Sequence, residues 1–143
     1  MTSIEGHKIK IKEHLDEIED AIDIGVEKRP VTIGFHCSAC SIEMLELYLH
    51  VLNRISIGKA VKHNWFKPIQ DSQKSEPLAE RMIGADFPGK SEIFDLLRRI
   101  ESKRDKLVYG KSTGEEAGQV LENFFKLKKF LSEQLKKTGV EIE

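Results

Sequence analysis

Arg104 stands where the periodicity of its segment asks for an apolar side chain. Ile93, Leu97, Ile100, Arg104 and Leu107 recur at spacings of four, three, four and three, which is one face of a helix. A guanidinium on that face must be paired, reach water along a groove, or line a site, because burying it alone is expensive. One reading pairs Arg104 with Glu43, Glu46 or Glu101, or lays its apolar stem along the bundle edge with its head in water. The other is an anion pocket, since the planar donor fork of arginine suits phosphate oxygens. Asp105, Lys106 and Tyr109 follow it and are candidate ligand-binding residues beside Arg104. Arg98, Arg99, Lys103, Lys106 and Lys111 either form a local basic patch around it or are an ordinary solvated face.

A second group has the types, though not the number, of metal ligands. Cys37-Ser38-Ala39-Cys40 places two thiols one turn apart, with His36 before them and Glu43 and His50 beyond. Zinc takes about four ligands, so His36, Cys40, Glu43 and His50 are a conceivable set. No second cysteine pair exists, and free cysteine is among the most buried residue types, so packing is the simpler account of the thiols. No metal or cofactor is therefore expected. Haem attachment fails because Ser41 follows Cys40 where histidine is required. A di-iron bundle fails for want of any Glu-x-x-His; Glu46 and His50 are four apart. His7 and His14 read as surface or boundary residues. His63 reads as a side chain that pins a loop by hydrogen bonds, with a catalytic role as the competing reading.

Long helices must hold these residues in place. Ile11, Leu15, Ile18 and Ile22 give a helix from about Ile9 to Arg29, which Pro30 stops. A second runs from about Val31 to Arg54. Phe35, Ile42, Leu45, Leu49 and Leu52 line one side of it, and Cys37, Cys40, Met44, Leu47, Tyr48 and Val51 another. Only a strip of His36, Glu43, Glu46, His50 and Asn53 is left for water. A helix so apolar is buried on two sides, so it is the centre of the bundle or faces a second subunit, and both at once is the expected arrangement. From Ile55 to Gly89 the pattern breaks, with a short helix near Pro77–Ile83 and with Trp65 and Phe66 anchoring the connection. The third long helix, about Ser91 to Tyr109, ends at Gly110. The last opens on a capping box, Ser112 with Glu115 or Thr113 with Glu116, and carries Ala117, Val120, Leu121, Phe124, Leu131 and Leu135 on its stripe. The expected fold is therefore an all-α, antiparallel up-and-down four-helix bundle with a short extra helix in a long central connection.

Composition agrees with one such domain over residues 1–143. Apolar residues make up 39% and charged residues 33%, and the formal net charge is −1, so no global field draws the chain to nucleic acid or to an anionic membrane. No apolar run approaches the roughly eighteen residues of a membrane span, and the first residues lack the pattern of a signal peptide. A cytoplasmic protein with no membrane partner is expected. The predominance of Lys and Glu over Asn and Gln leans towards a thermophile.

On the helix order, the apolar second helix, and Arg104-Asp105-Lys106-Leu107-Val108-Tyr109, the chain resembles the HEPN superfamily. These are small helical bundles, commonly dimeric, many of them toxins or ribonucleases of prokaryotic defence systems, including toxin-antitoxin pairs. Arg104 matches the family's signature arginine and Asp105 the polar residue after it, whereas Tyr109 stands where the family has histidine. His63-Asn64 looks like a His-Asp pair of some members. The resemblance implies a homodimer through the second long helix that binds RNA or a nucleotide at Arg104. It also implies that nuclease activity is weak or lost, since tyrosine, with a pKa near 10, is a poor base at neutral pH. Arg104 and Tyr109 are then the catalytic candidates on this helix. Two further readings stand beside this one: a non-enzymatic module partnering a toxin or nucleotidyltransferase-like subunit, and a metal-independent ribonuclease.

Overall fold

The computed structural model describes residues 3–56, 59–67 and 78–142. Helix α1 spans Ile4–Ile24, because Ser3 caps it: its side chain accepts the Gly6 N–H at 3.0 Å. The helix thus begins more than a turn before the apolar stripe does, and it takes in His7. Ile11, Leu15, Ile18 and Ala21 are buried, while Ile22 is exposed. The inward face drifts off the four-residue spacing, as a period of about 3.6 requires. Gly25, at φ +136°, ends α1, and a 3-10 turn over Val26–Lys28 follows. Pro30 then opens α2 (Pro30–Val51). At the first helical position its missing N–H has no intrahelical partner to lose.

Helix α3 covers Leu78–Ile83, α4 covers Lys90–Tyr109 and α5 covers Gly114–Lys137. Pro77, expected in the first turn of the short helix, lies outside the described residues. At the start of α5 the capping box is the one built by Thr113 and Glu116: the Glu116 N–H donates to Thr113 Oγ1 at 3.1 Å, and the Thr113 N–H donates to Glu116 Oε1 at 3.0 Å.

These helices form a bundle centred on α2, which packs against α1, α4 and α5, while no close backbone approach joins α1 to α4 or α5. Contacts fix the directions. His7 meets His50 and His14 meets His36, so α1 and α2 run antiparallel. Ser38 meets Glu101, and a Cβ placed on Gly34 would stand 2.7 Å from Leu107 Cβ, so α2 and α4 also run antiparallel and nearly touch at Gly34. Cys37, Met44, Leu45, Phe94, Phe124 and Leu131 are among the side chains sealed in the contiguous core; each such apolar side chain contributes about 1.5–3 kcal/mol. The connection is anchored by Trp65 and Phe66, both buried, in a 3-10 turn over His63–Phe66. The Phe66 ring meets Phe94 edge-on at 5.2 Å.

The nearly all-round apolarity of α2 is mostly satisfied within one chain. Among its large apolar residues only Val31, at 53%, and Phe35, at 44%, are strongly exposed. No helix among the described residues is long and apolar enough to cross a membrane.

Candidate functional site

Arg104 does not reach Glu43, Glu46 or Glu101. Its side chain is only 11% exposed, and Nη1 donates to Oδ1 of the adjacent Asp105 at 3.1 Å. The guanidinium carbon lies 6.0 Å from the ring centroid of Phe35 on α2, within reach of the attraction between a cation and an aromatic face. Asp105 has a second cation, Lys67, whose Nζ donates to Oδ2 at 3.1 Å. The hydrogen bond from Lys67, aided by Arg104, holds the Asp105 carboxyl below the usual carboxylate range.

Tyr109 and Lys106 do not join this group. Residues five apart on a helix are about 140° apart around its axis, and Tyr109 is 79% exposed at the end of α4. Lys106 instead reaches Glu116 at 2.8 Å, across the α4–α5 turn, with Lys103 at 3.7 Å from the same oxygen. The hydrogen bond from Lys106 and the capping bond from Thr113 lower the Glu116 pKa. Arg99 pairs with Asp95 at 2.9 Å, and Arg98 lies 4.0 Å from Glu80. Carboxylates thus accompany Arg98, Arg99, Lys103 and Lys106 along this face of α4.

One turn before Arg104, Glu101 carries a histidine partner from the connection. Glu101 is buried; its Oε2 accepts from Ser38 Oγ at 3.0 Å and its Oε1 accepts from His63 Nδ1 at 2.6 Å. His63 therefore pins the connection to α4, as its two ring nitrogens allow. With His14, Ile42, Glu43 and Asn64 it also borders a groove of about 360 Å³.

In the polar strip of α2, His36, Glu43 and His50 face α1, Glu46 meets the connection and Asn53 is exposed. Fully buried His7 donates from Nδ1 to Glu43 Oε1 at 2.6 Å, and its Nε2 lies 3.0 Å from His50 Nδ1. His50 Nε2 lies 3.3 Å from the carbonyl oxygen of Lys59. Glu46 Oε2 accepts the Val61 N–H at 2.9 Å. Further along the seam, His14 Nδ1 and His36 Nδ1 are 2.9 Å apart. Burial, followed by the charge of His36, lowers the His14 pKa.

Of the four metal candidates His36, Cys40, Glu43 and His50, the structure brings Glu43 and His50 together, through His7. His36 is engaged by His14. Cys40 turns into the core, its thiol 3.8 Å from the Ile11 carbonyl oxygen. Burial pushes the Cys40 thiol up to about 12 and raises Cys37 further, so neither supplies a ready thiolate. His7, expected as a surface or boundary residue ahead of a helix beginning at Ile9, is instead fully buried within α1, because the Ser3 cap starts the helix earlier.

No family model matches the chain, and neither the curated proteins nor the solved structures hold a significant match to it.

Proposed function

We propose that this protein is a HEPN-like helical bundle that binds RNA or a nucleotide beside Arg104, as a homodimer through the open face of α2, with nuclease activity weak or lost. The observation that carries the reading is the setting of Arg104: a largely covered guanidinium on the half-exposed ring of Phe35, with one exposed neighbour, Asp105, as its ionic partner. An incoming phosphate can take the place of Asp105 without stranding it, because Lys67 already holds that carboxylate. Phe35 and Val31 beside it offer an apolar surface, and nucleic acid bases stack on aromatic rings. Weak chemistry follows from Tyr109, a poor base.

The test is the affinity of a single-stranded RNA oligonucleotide at low salt for the wild type and for Arg104→Ala. Loss of a charge-assisted contact of about 1.5–3 kcal/mol predicts roughly 10- to 100-fold weaker binding, with the helical circular dichroism retained. Equal affinity removes the proposal.

A second reading, a protein-interaction module without a nucleic acid ligand, is favoured by the exposure of Val31 and Phe35 alone. It predicts no retention on RNA at low salt and a stable complex with a toxin or nucleotidyltransferase-like subunit, broken by Phe35→Glu. The ribonuclease reading, with Tyr109 or a distant histidine such as His63 on Glu101 of α4, requires cleavage of single-stranded RNA in chelator.

A further inference from the structure

The seam between α1 and α2 holds a donor set that the Arg104 reading does not use. Ligand atoms of His7, Glu46 and His50 all lie within 4.8 Å of one another. We propose that His7 Nε2, His50 Nδ1 and a Glu46 carboxylate oxygen bind one divalent transition-metal ion of the zinc class. Glu43 holds His7 from behind, and a further coordination position is left to water.

The geometry is close to what such an ion needs. Nitrogen ligands at about 2.0–2.1 Å around a tetrahedral zinc are about 3.3 Å apart, and the two ring nitrogens here are 3.0 Å apart. Glu46 and His50 are four residues apart on α2, on one face, and His7 stands across from them on α1. The Val61 N–H, bound to Oε2, orients the Glu46 carboxylate and leaves its other oxygen for a ligand bond. His7 is fully buried, while Glu46 and His50 are partly exposed, so the site is walled on the α1 side and open to water on the other.

Glu43 supplies the outer support. Metal-bound histidines usually donate their second ring N–H to a carboxylate, which fixes the tautomer and turns the free lone pair to the metal. The 2.6 Å bond from His7 Nδ1 to Glu43 is that bond, and it leaves Nε2 facing His50.

Charge points the same way. Glu43 and Glu46 stand side by side on α2, and among the described residues neither has a Lys or Arg in an ion pair. The acceptors Glu43 and the Lys59 carbonyl close the two ends of the His7–His50 chain. A dication between the two rings offsets the charge of both carboxylates. Two imidazoles and a carboxylate suit zinc, cobalt or nickel rather than magnesium or calcium, which prefer oxygen alone. The buried thiols of Cys37 and Cys40 take no part.

The experiment uses the full chain without a histidine tag, stripped with chelator and then titrated with zinc by calorimetry and with cobalt(II) by visible absorption. The expected result is one ion per chain, with the d–d bands of tetrahedral cobalt and no thiolate charge-transfer band. His50→Ala abolishes binding. Glu43→Gln weakens it by about 10- to 100-fold, the usual effect of losing an outer partner, and Cys40→Ser and His36→Ala leave it unchanged. Because His7→Ala empties a buried position, His50→Ala and Glu46→Gln, at partly exposed residues, carry the test, with circular dichroism as the check on folding. The proposal is overturned if the wild type binds neither ion, if folded His50→Ala binds as tightly as the wild type, or if a thiolate band appears.

Discussion

The near contact of α2 and α4 at Gly34 can be tested by making one substitution in two places. Gly118, in α5, has nothing within 4 Å of where a Cβ would stand. Gly118→Ala therefore gains helix propensity alone, about 0.8–1 kcal/mol. With an unfolding entropy of roughly 2.1 cal/mol/K per residue, a chain of 143 residues has about 0.3 kcal/mol/K in total, so Tm rises by about 3 °C. Gly34→Ala has the same gain, opposed by a clash. Its Cβ would stand 2.7 Å from Leu107 Cβ and 3.2 Å from Val108 Cγ2, where carbon atoms prefer about 3.5–4.0 Å. Both Cβ atoms are fixed to backbone, so no rotamer relieves the overlap and the helices must part by about 1 Å. Overpacking of this kind costs about 1–3 kcal/mol, and rigid anchoring puts it in the upper part of that range. The net is a loss of about 1–2 kcal/mol, or about 3–7 °C in Tm. Urea unfolding followed by circular dichroism reads both variants, and an unchanged slope certifies that stability alone has moved. If Gly34→Ala is stabilised as much as Gly118→Ala, the close crossing of α2 and α4 is refuted, and with it the placement of Phe35 under Arg104.

Three further outcomes follow from buried and capping groups. Glu101→Ala strands the buried Ser38 hydroxyl and costs about 1–3 kcal/mol; adding Ser38→Ala removes the orphaned group, so urea unfolding should show the double variant losing less than the sum of the singles. Thr113→Ala removes the cap on the Glu116 N–H and costs about 1 kcal/mol, seen as a lower Tm and faster amide exchange in the first turn of α5. His14 has a folded pKa below its ordinary 6.5 because burial and then His36 disfavour its charge. Its contribution is complete above that value and is lost as pH falls through the depressed folded pKa. Unfolding midpoints should therefore decline on acidification below about pH 6.5, and less so in His14→Gln.

The long helices were legible because each carries its own period, with Gly110 and the Thr113–Glu116 box acting as punctuation within a few residues of chain. Pro30, expected to stop the first helix at Arg29, instead opens α2, and Gly25 ends α1 five residues earlier. The start of α1 was harder to read. Ser3 caps the helix, but Ile4 and Ile9 are exposed and mark no stripe, so the apolar signal begins only at Ile11. Arg104 was visible as a break in phase, yet its partner was not, since Asp105 is its sequence neighbour while Glu43, Glu46 and Glu101 were the carboxylates expected across the bundle. The histidine seam lay beyond reading for a plainer reason. His36, Glu43, Glu46 and His50 share a strip of α2 by spacing, but only packing of α1 at one register brings His7 to His50 and His14 to His36.

Placing α2 at the centre gives the molecule an uneven cooperativity. Helix α1 leans on α2 and on the turn after it, whereas α2, α4 and α5 each touch the other two. The first helix can thus open as a unit while a three-helix remnant persists, in the manner of a foldon of lower free energy than the whole. Native-state hydrogen exchange should then sort the amides into two tiers, with those of Ile11 to Ala21 exchanging through a sub-global opening and those around Met44, Ile100 and Phe124 only through complete unfolding.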